Sequence, residues 1–222
     1  MGHPVAGRPI GLAILGSTGS IGRQTMDVVR SLPGRFNIVA LAAGRNVTLL
    51  EEQAREFRPH LICASREEDY LYQRIADGSL SAGWATMEEM ASHPDVDLVV
   101  VATVGATGLA PCLAALRAGK AVALANKEVL VMAGHIITAE ARRHDAQLRP
   151  IDSEHSAIWQ CLWGENPDSV RRIILTASGG PFRDTPREDL ARITAKEALR
   201  HPNWQMGQKI TVDSATLLNK GL

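Results

Sequence analysis

The sequence predicts an α/β fold: a doubly wound parallel sheet, followed by the start of an α+β domain. Three observations predict it. An apolar strand at residues 10–15 runs through the glycine-rich turn GSTGSIG (16–22) into an amphipathic helix. A strongly β-branched segment at 97–102 has the composition of a strand buried on both faces of a parallel sheet. Strand and helix patterns alternate for about the first 150 residues, and repeated βα units close only as a parallel sheet. The expected division is residues 1–150 for the sheet domain and 151–222 for a second, partial domain.

The first βα unit has the order of a dinucleotide-binding, Rossmann-like fingerprint. Gly16, Gly19 and Gly22 let the backbone approach a pyrophosphate, with Thr18, Ser20 and Ile21 at the start of the helix. The spacing is GxxGxxG, so a glycine-rich turn without a ligand stays open on these residues alone. The second strand, 36–43, ends in Gly44-Arg45-Asn46. An NAD site places a carboxylate near this point. Here there is none, and Arg45 can pair with a phosphate, which favours NADP; the alternative is a solvated arginine before the helix that starts near Val47.

The alternation continues with strand 61–64, helix 66–76, strand 97–102, a helix over 105–118 with Pro111 in its first turns, and strand 121–125. That strand ends in Asn126-Lys127-Glu128. Helices to about residue 132 and over 139–144 lead to a last strand, 146–151. In such sheets ligands sit at the carboxyl ends of the strands. The segments 16–22, 44–46, 126–128 and 152–154 are all expected there.

Asp152 and Glu154 stand two residues apart at a strand end, where i and i+2 project to one side. Converging carboxylates repel unless a proton or cation lies between them, and a hard divalent ion suits the pair. A solvated acidic helix N-terminus is the alternative. A helix carrying Ile158, Cys161 and Leu162 follows. Beyond it the expectations are a strand over 170–177, a glycine turn after Ser178 and a capping box at 194–197. An irregular loop with His201, Trp204 and Met206 reads as a lid or as plain surface. A strand over 209–212 and a helix capped by Asp213 and Ser214 complete the chain.

Lys and Arg total 24, as do Asp and Glu, so no global field draws the chain to nucleic acid or to an acidic membrane. Cys63, Cys112 and Cys161 are far apart with no zinc spacing, which suits reduced thiols in a cytoplasmic protein. No stretch is long and apolar enough to span a membrane, and residues 1–9 lack the pattern of a signal peptide.

Taken together, the segments GSTGSIG (16–22), AAGRNV (42–47), LANKE (124–128), PIDSEHSAIWQ (150–160), LTASGGPFRDTP (175–186) and HPNWQMGQKITVDSATLLNKGL (201–222) closely resemble the 1-deoxy-D-xylulose 5-phosphate reductoisomerase family. The resemblance implies NADPH bound by Thr18, Gly19, Ser20 and Ile21 in the glycine turn, by Gly44, Arg45 and Asn46, and by Asn126, Glu128 and Gly207. It implies substrate contacts from Lys127, Ser153, Glu154, Ser178, His201, Ser214, Asn219 and Lys220, with Lys127 and His201 close to the chemistry. It implies Mg²⁺, Mn²⁺ or Co²⁺ on Asp152 and Glu154, a phosphorylated ketose as substrate, a branched polyol phosphate as product, and a homodimer for the complete enzyme. The family motif continues past Leu222 with a third metal-binding glutamate, so the chain is expected to be a fragment of low activity. Two other readings stay open: an NADPH-binding chain without turnover, and another NADP-linked dehydrogenase, a class that would need a catalytic cysteine at the sheet rim.

Overall fold

The structure, a computed structural model, describes residues 7–66, 68–205 and 207–221. Met206 of the expected lid and Leu222 lie outside the described residues, as do residues 1–6. The chain divides into two compact units, one ending at Ile151 and the other beginning at Asp152.

The first unit is a seven-stranded sheet with every pairing parallel. Its strands are β1 (Ile10–Leu15), β2 (Phe36–Ala43), β3 (Leu61–Ala64), β4 (Gly83–Trp84), β5 (Leu98–Val101), β6 (Ala121–Leu124) and β7 (Leu148–Pro150). The helices between them are α1 (Ser20–Ser31), α2 (Val47–Phe57), α3 (Glu68–Ala76), α4 (Met87–Ser92), α5 (Leu109–Arg117) and α6 (Glu128–Arg143). Strand order is β4-β3-β2-β1-β5-β6-β7, so the chain builds outward from β1, crosses back, and builds outward on the other side. Ala13, Ile14, Leu15 and Val99 are wholly buried because helices cover both faces of the sheet. Two apolar layers result. One gathers Leu15, Val101, Leu116 and Ile137, and the other Ile14, Met26, Leu41 and Leu50.

Three details differ from the sequence reading. Strand β4 and helix α4 were not foreseen, although Thr86 and Glu89 form a complete capping box at the start of α4. The two helices expected after β6 are one, α6, with a break in helical geometry at Ala133. The helix expected over 105–118 begins as a 3₁₀ turn, Gly105–Gly108, before α5.

The second unit contains α7 (Ser153–Leu162), α8 (Ala195–Ala198), α9 (Gln208–Ala215), α10 (Leu218–Gly221) and two 3₁₀ turns. Its described residues form no strand, so the strands expected over 170–177 and 209–212 are not formed. Among the described residues, 171–177 make no backbone–backbone hydrogen bond, and Ile173 and Ile174 are 58% and 64% exposed. Without a partner to complete a ladder, β propensity alone does not make a strand. Residues 209–212 are helical. Lys209 pairs with Asp213 one turn on (2.7 Å), and the Thr211 hydroxyl donates to Gly207 O at 2.8 Å. Asp213 and Ser214 therefore lie inside α9 rather than capping it, and Leu217, at positive φ, separates α9 from α10. The capping box of Thr194 and Glu197 opens α8 as expected.

Candidate functional site

In a doubly wound sheet the crevice lies where strand order reverses, here between the carboxyl ends of β1 and β5. The glycine turn follows β1. Gly16 N and Ser17 N both donate to Ala42 O, each at 2.8 Å, which fastens the turn to the end of β2. The first helical bond of α1 runs from Arg23 N to Gly19 O, so the amides of Ser20, Ile21 and Gly22 precede it. Those donors, with no acidic residue in the first turn of the helix, suit an anion. Gly22 packs against the turn itself. A Cβ there would stand 2.3 Å from Gly16 O and 2.5 Å from Ser17 O.

At the end of β2, Gly44, Arg45 and Asn46 are exposed. Gly44 O accepts from the Ser65 hydroxyl (3.1 Å), and Asn46 caps α2 by accepting from Leu49 N (3.1 Å). Asn46 thus has a structural task beside any role toward a ligand. Arg45, between these two bonded residues, is exposed and carries the charge that a phosphate contact needs.

After β6, Asn126 is 2% exposed. Its Nδ2 donates to Gly105 O (2.9 Å) and Thr103 Oγ1 (3.3 Å), while its Oδ1 is buried without a partner. This orphaned acceptor fits a ligand that brings a donor, as the amide of a nicotinamide would. Lys127 and Glu128 follow, half-buried, at the start of α6. The sequence reading missed the loop after β5, residues 103–105, which Asn126 pins at the reversal point. Its signal was Gly105, four residues past the end of the most β-branched strand.

In the second unit, Asp152 and Glu154 converge on one cation, the Lys220 ammonium. Lys220 Nζ donates to Asp152 Oδ1 at 2.6 Å and also pairs with Glu154 Oε2. The Ser153 hydroxyl donates to Glu154 Oε2 (2.7 Å), and His155 Nδ1 lies 3.1 Å from Asp152 Oδ1. Burial pulls the Glu154 carboxyl upward, but Lys220 and Ser153 outweigh it, so the group ionises below the usual carboxylate range. Burial likewise opposes the charge on Lys220, and the two carboxylates overcome it, raising its pKa. Lys220 was expected at a phosphate; the structure places it on the carboxylates. Two carboxylates around one positive centre fit a divalent ion, though among the described residues no group of three His, Cys, Asp or Glu gathers to hold one.

Ser178, His201 and Ser214 form a second cluster in this unit. The Ser178 hydroxyl is 3.1 Å from His201 Nε2 and 3.5 Å from Ser214 Oγ. His201 Nδ1 accepts from Asn203 N (3.2 Å) and Trp204 N (3.1 Å). With Nδ1 an acceptor, the proton of the neutral ring is on Nε2 and is directed at Ser178. Ser214 and Asn219 are buried. Gly180 makes the cluster possible, since a Cβ there would lie 2.4 Å from Ser214 O. Gly207, expected with the cofactor residues, is the N-cap of α9 in this unit. Trp204 is 65% exposed.

The cysteines do not suit nucleophilic chemistry. Burial pushes the Cys63 thiol up to about 12 and the Cys112 thiol to about 11, and Cys161 lies exposed on α7. No helix among the described residues is long and apolar enough to cross a membrane.

Comparison with known proteins places this geometry. The family model described as 1-deoxy-D-xylulose 5-phosphate reductoisomerase matches residues 12–134, and the model of that enzyme's C-terminal domain matches 148–222. The 1-deoxy-D-xylulose 5-phosphate reductoisomerase of Pelotomaculum thermopropionicum is 53% identical over 216 residues, covering 95% of this chain and 56% of that protein. That of Bacillus cereus is 49% identical over 213 residues, with the same coverage. This chain therefore spans about half the length of the curated relatives it matches. A crystal structure titled as DOX-P reductoisomerase with NADPH, fosmidomycin and magnesium superposes with a TM-score of 0.86 at 44% identity, covering 96% of this chain and 56% of that one. The Zymomonas mobilis enzyme in complex with NADPH gives 0.85 at 40% identity, covering 97% and 56%.

Proposed function

The chain belongs to the 1-deoxy-D-xylulose 5-phosphate reductoisomerase family, and on that premise we propose that it serves the NADPH- and divalent-metal-dependent isomerisation and reduction of 1-deoxy-D-xylulose 5-phosphate to 2-C-methyl-D-erythritol 4-phosphate. The observation that carries this reading is the convergence of Asp152 and Glu154 on one cation. An NADP-linked dehydrogenase acting through a cysteine has no use for such a pair, and the buried, proton-holding Cys63 and Cys112 argue against that class.

NADPH when bound supplies the hydride, and a divalent ion, with Mn²⁺ and Mg²⁺ the first choices, supplies Lewis-acid polarisation of substrate oxygens. Asp152 and Glu154 would hold that ion. The amides of Ser20, Ile21 and Gly22 bind the pyrophosphate at the start of α1. Arg45 reads the adenosine phosphate, and Asn126 offers its unpartnered Oδ1 to the nicotinamide end. The substrate phosphate is assigned to Ser178, Ser214, Asn219 and Lys220. The His201 Nε2 proton, held toward Ser178 by the two amides on Nδ1, keeps the serine hydroxyl free to donate to a phosphate oxygen. Lys127 is assigned to the reacting oxygens, where its charge would stabilise developing negative charge. A cytoplasmic location and a homodimer belong to the same proposal. They rest on the three unbridged cysteines and on the family.

A second reading, NADPH binding without turnover, is favoured by the lack of a third metal-ligating side chain among the described residues. The test is to supply the chain with NADPH, Mn²⁺ and the ketose phosphate while following NADPH absorbance. Substrate-dependent oxidation supports the first reading. NADPH binding without oxidation selects the second.

A further inference from the structure

Helix α2 buries an apolar stripe of Val47, Leu50 and Ala54, and at the edge of that stripe stands a glutamine, Gln53, only 3% exposed. Packing alone would be served better by leucine or methionine, because a buried amide is costly unless its hydrogen bonds are made. Gln53 makes one: its Nε2 donates to Ser17 O at 3.0 Å, in the middle of the glycine turn. Its Oε1 is buried without a partner, as is the Ser17 hydroxyl. An amide kept in the core for one bond to a turn carbonyl calls for a reason beyond packing.

The connectivity supplies it. The bonds from Gly16 N and Ser17 N to Ala42 O fasten the turn to strand β2. The Gln53 bond fastens the same turn to helix α2, two turns beyond the cap at Asn46 and the neighbouring Arg45. Any ligand with one anionic group on the Ser20–Gly22 amides and another at Arg45 depends on the spacing between turn and helix.

We infer that Gln53 is a positioning residue of the dinucleotide site, clamping α2 to the Ser17 carbonyl so that the pyrophosphate amides and Arg45 are held at the separation an NADP-type dinucleotide spans. The inference rests on the NADPH reading above. It concerns ligands that bridge both ends; fragments that touch only one end are insensitive to the spacing.

The experiment uses the full chain and its Gln53→Met variant. NADPH is titrated by fluorescence and 5′-ADP and 2′-AMP by calorimetry, with melting temperatures recorded without ligand. The expected result is a roughly fivefold to tenfold weaker NADPH affinity, the effect of one buried hydrogen bond, with each fragment changed by less than about twofold on the same scale. A lower melting temperature with unchanged NADPH affinity would make Gln53 structural only and overturn the inference. So would fragments weakened as much as NADPH. If Gln53→Met does not fold, Gln53→Glu, of the same shape but without the donor when ionised, carries the same comparison; failure of both to fold also overturns it. Absence of NADPH binding by the unmodified chain would instead refute the proposed function.

Discussion

Replacing Gly22 with alanine tests the glycine turn where its geometry is tightest. Gly22 lies within α1, so helix propensity alone favours alanine by about 1 kcal/mol. The added Cβ, however, would stand 2.3 Å from Gly16 O, 2.5 Å from Ser17 Cα and 2.5 Å from Ser17 O. All three are backbone atoms of the turn, with no flexible end to swing aside. Relieving the contact requires a shift of about 1 Å between α1 and the turn. Overpacking of this kind costs about 1–3 kcal/mol, which outweighs the propensity gain. The same shift moves the Ser20 and Ile21 amides relative to a bound pyrophosphate, so Gly22→Ala should weaken NADPH binding by at least tenfold, the equivalent of about 1.4 kcal/mol. Gly19→Ala is the control for packing, read by thermal melting alone because Gly19 itself belongs to the cofactor turn. Its Cβ would meet only Gly16 O, at 3.3 Å, a contact that a few tenths of an ångström relieves. Thermal melting of both variants compares the packing cost, and NADPH fluorescence titration of Gly22→Ala reads the site. Unimpaired NADPH binding by Gly22→Ala would refute the assignment of the pyrophosphate to this turn.

Arg45→Ala should weaken NADPH roughly tenfold to a hundredfold, as for the loss of a charge-assisted pair, and leave NADH nearly unchanged; equal losses in parallel titrations would mean that Arg45 does not read the extra phosphate. Asp152→Asn should weaken Mn²⁺ binding, followed by electron paramagnetic resonance, at least tenfold, about 1.4 kcal/mol, while NADPH affinity holds; undiminished Mn²⁺ binding would remove Asp152 from the metal site. A fourth prediction concerns Glu51 of α2. The Tyr70 hydroxyl (2.5 Å) and then Arg55 and Arg74 hold its carboxyl down to about 2 from an ordinary 4.5. A depressed carboxylate contributes stability above its unfolded pKa and loses it as pH falls toward the folded value, so this contribution should fade between about pH 4.5 and 2. Arg55 is half exposed, so solvent screening reduces the effect to about 1–2 kcal/mol. Glu51→Gln should lower the melting temperature at pH 7, and the difference from the unmodified chain should shrink in acid; a difference that stays constant to pH 2 would contradict it.

The sheet was legible because its signals are local. Ile10–Leu15, Phe36–Ala43 and Leu61–Ala64 are short apolar runs bounded by turn residues, and their limits follow from those boundaries. Strand β4 left no such trace, since two residues paired with β3 need no pattern of their own. Residues 209–212 misled because Ile210, Thr211 and Val212 carry β propensity. The Lys209–Asp213 pair and the Thr211–Gly207 bond are helix-specific contacts that outweigh it. Residues 170–177 carry the same β-branched bias, and there the missing ingredient is a neighbouring strand, which propensity cannot supply.

The candidate site was legible where one short segment carries the chemistry. The i, i+2 spacing of Asp152 and Glu154 implied that they meet at one point, and they do. That the point is taken by Lys220, 68 residues away, could not be read from spacing. It matters for the metal assignment. An ammonium held by two carboxylates is already a satisfied charge cluster, so a divalent ion entering there must separate Lys220 from both partners. The displaced ammonium then needs a new anion, or the exchange leaves a partly buried charge unpaired. A substrate phosphate is such an anion. On this reasoning metal and phosphorylated ligand support each other's binding, because each receives one side of the Lys220 pair. Mn²⁺ should therefore bind more tightly when a phosphate-bearing ligand is present. Lys220→Gln, which leaves the two carboxylates without their internal cation, should raise Mn²⁺ affinity and abolish that dependence. If Lys220→Gln left the Mn²⁺ affinity and its response to phosphate as they were, Lys220 would be a bystander and the carboxylates would bind their cation independently of it.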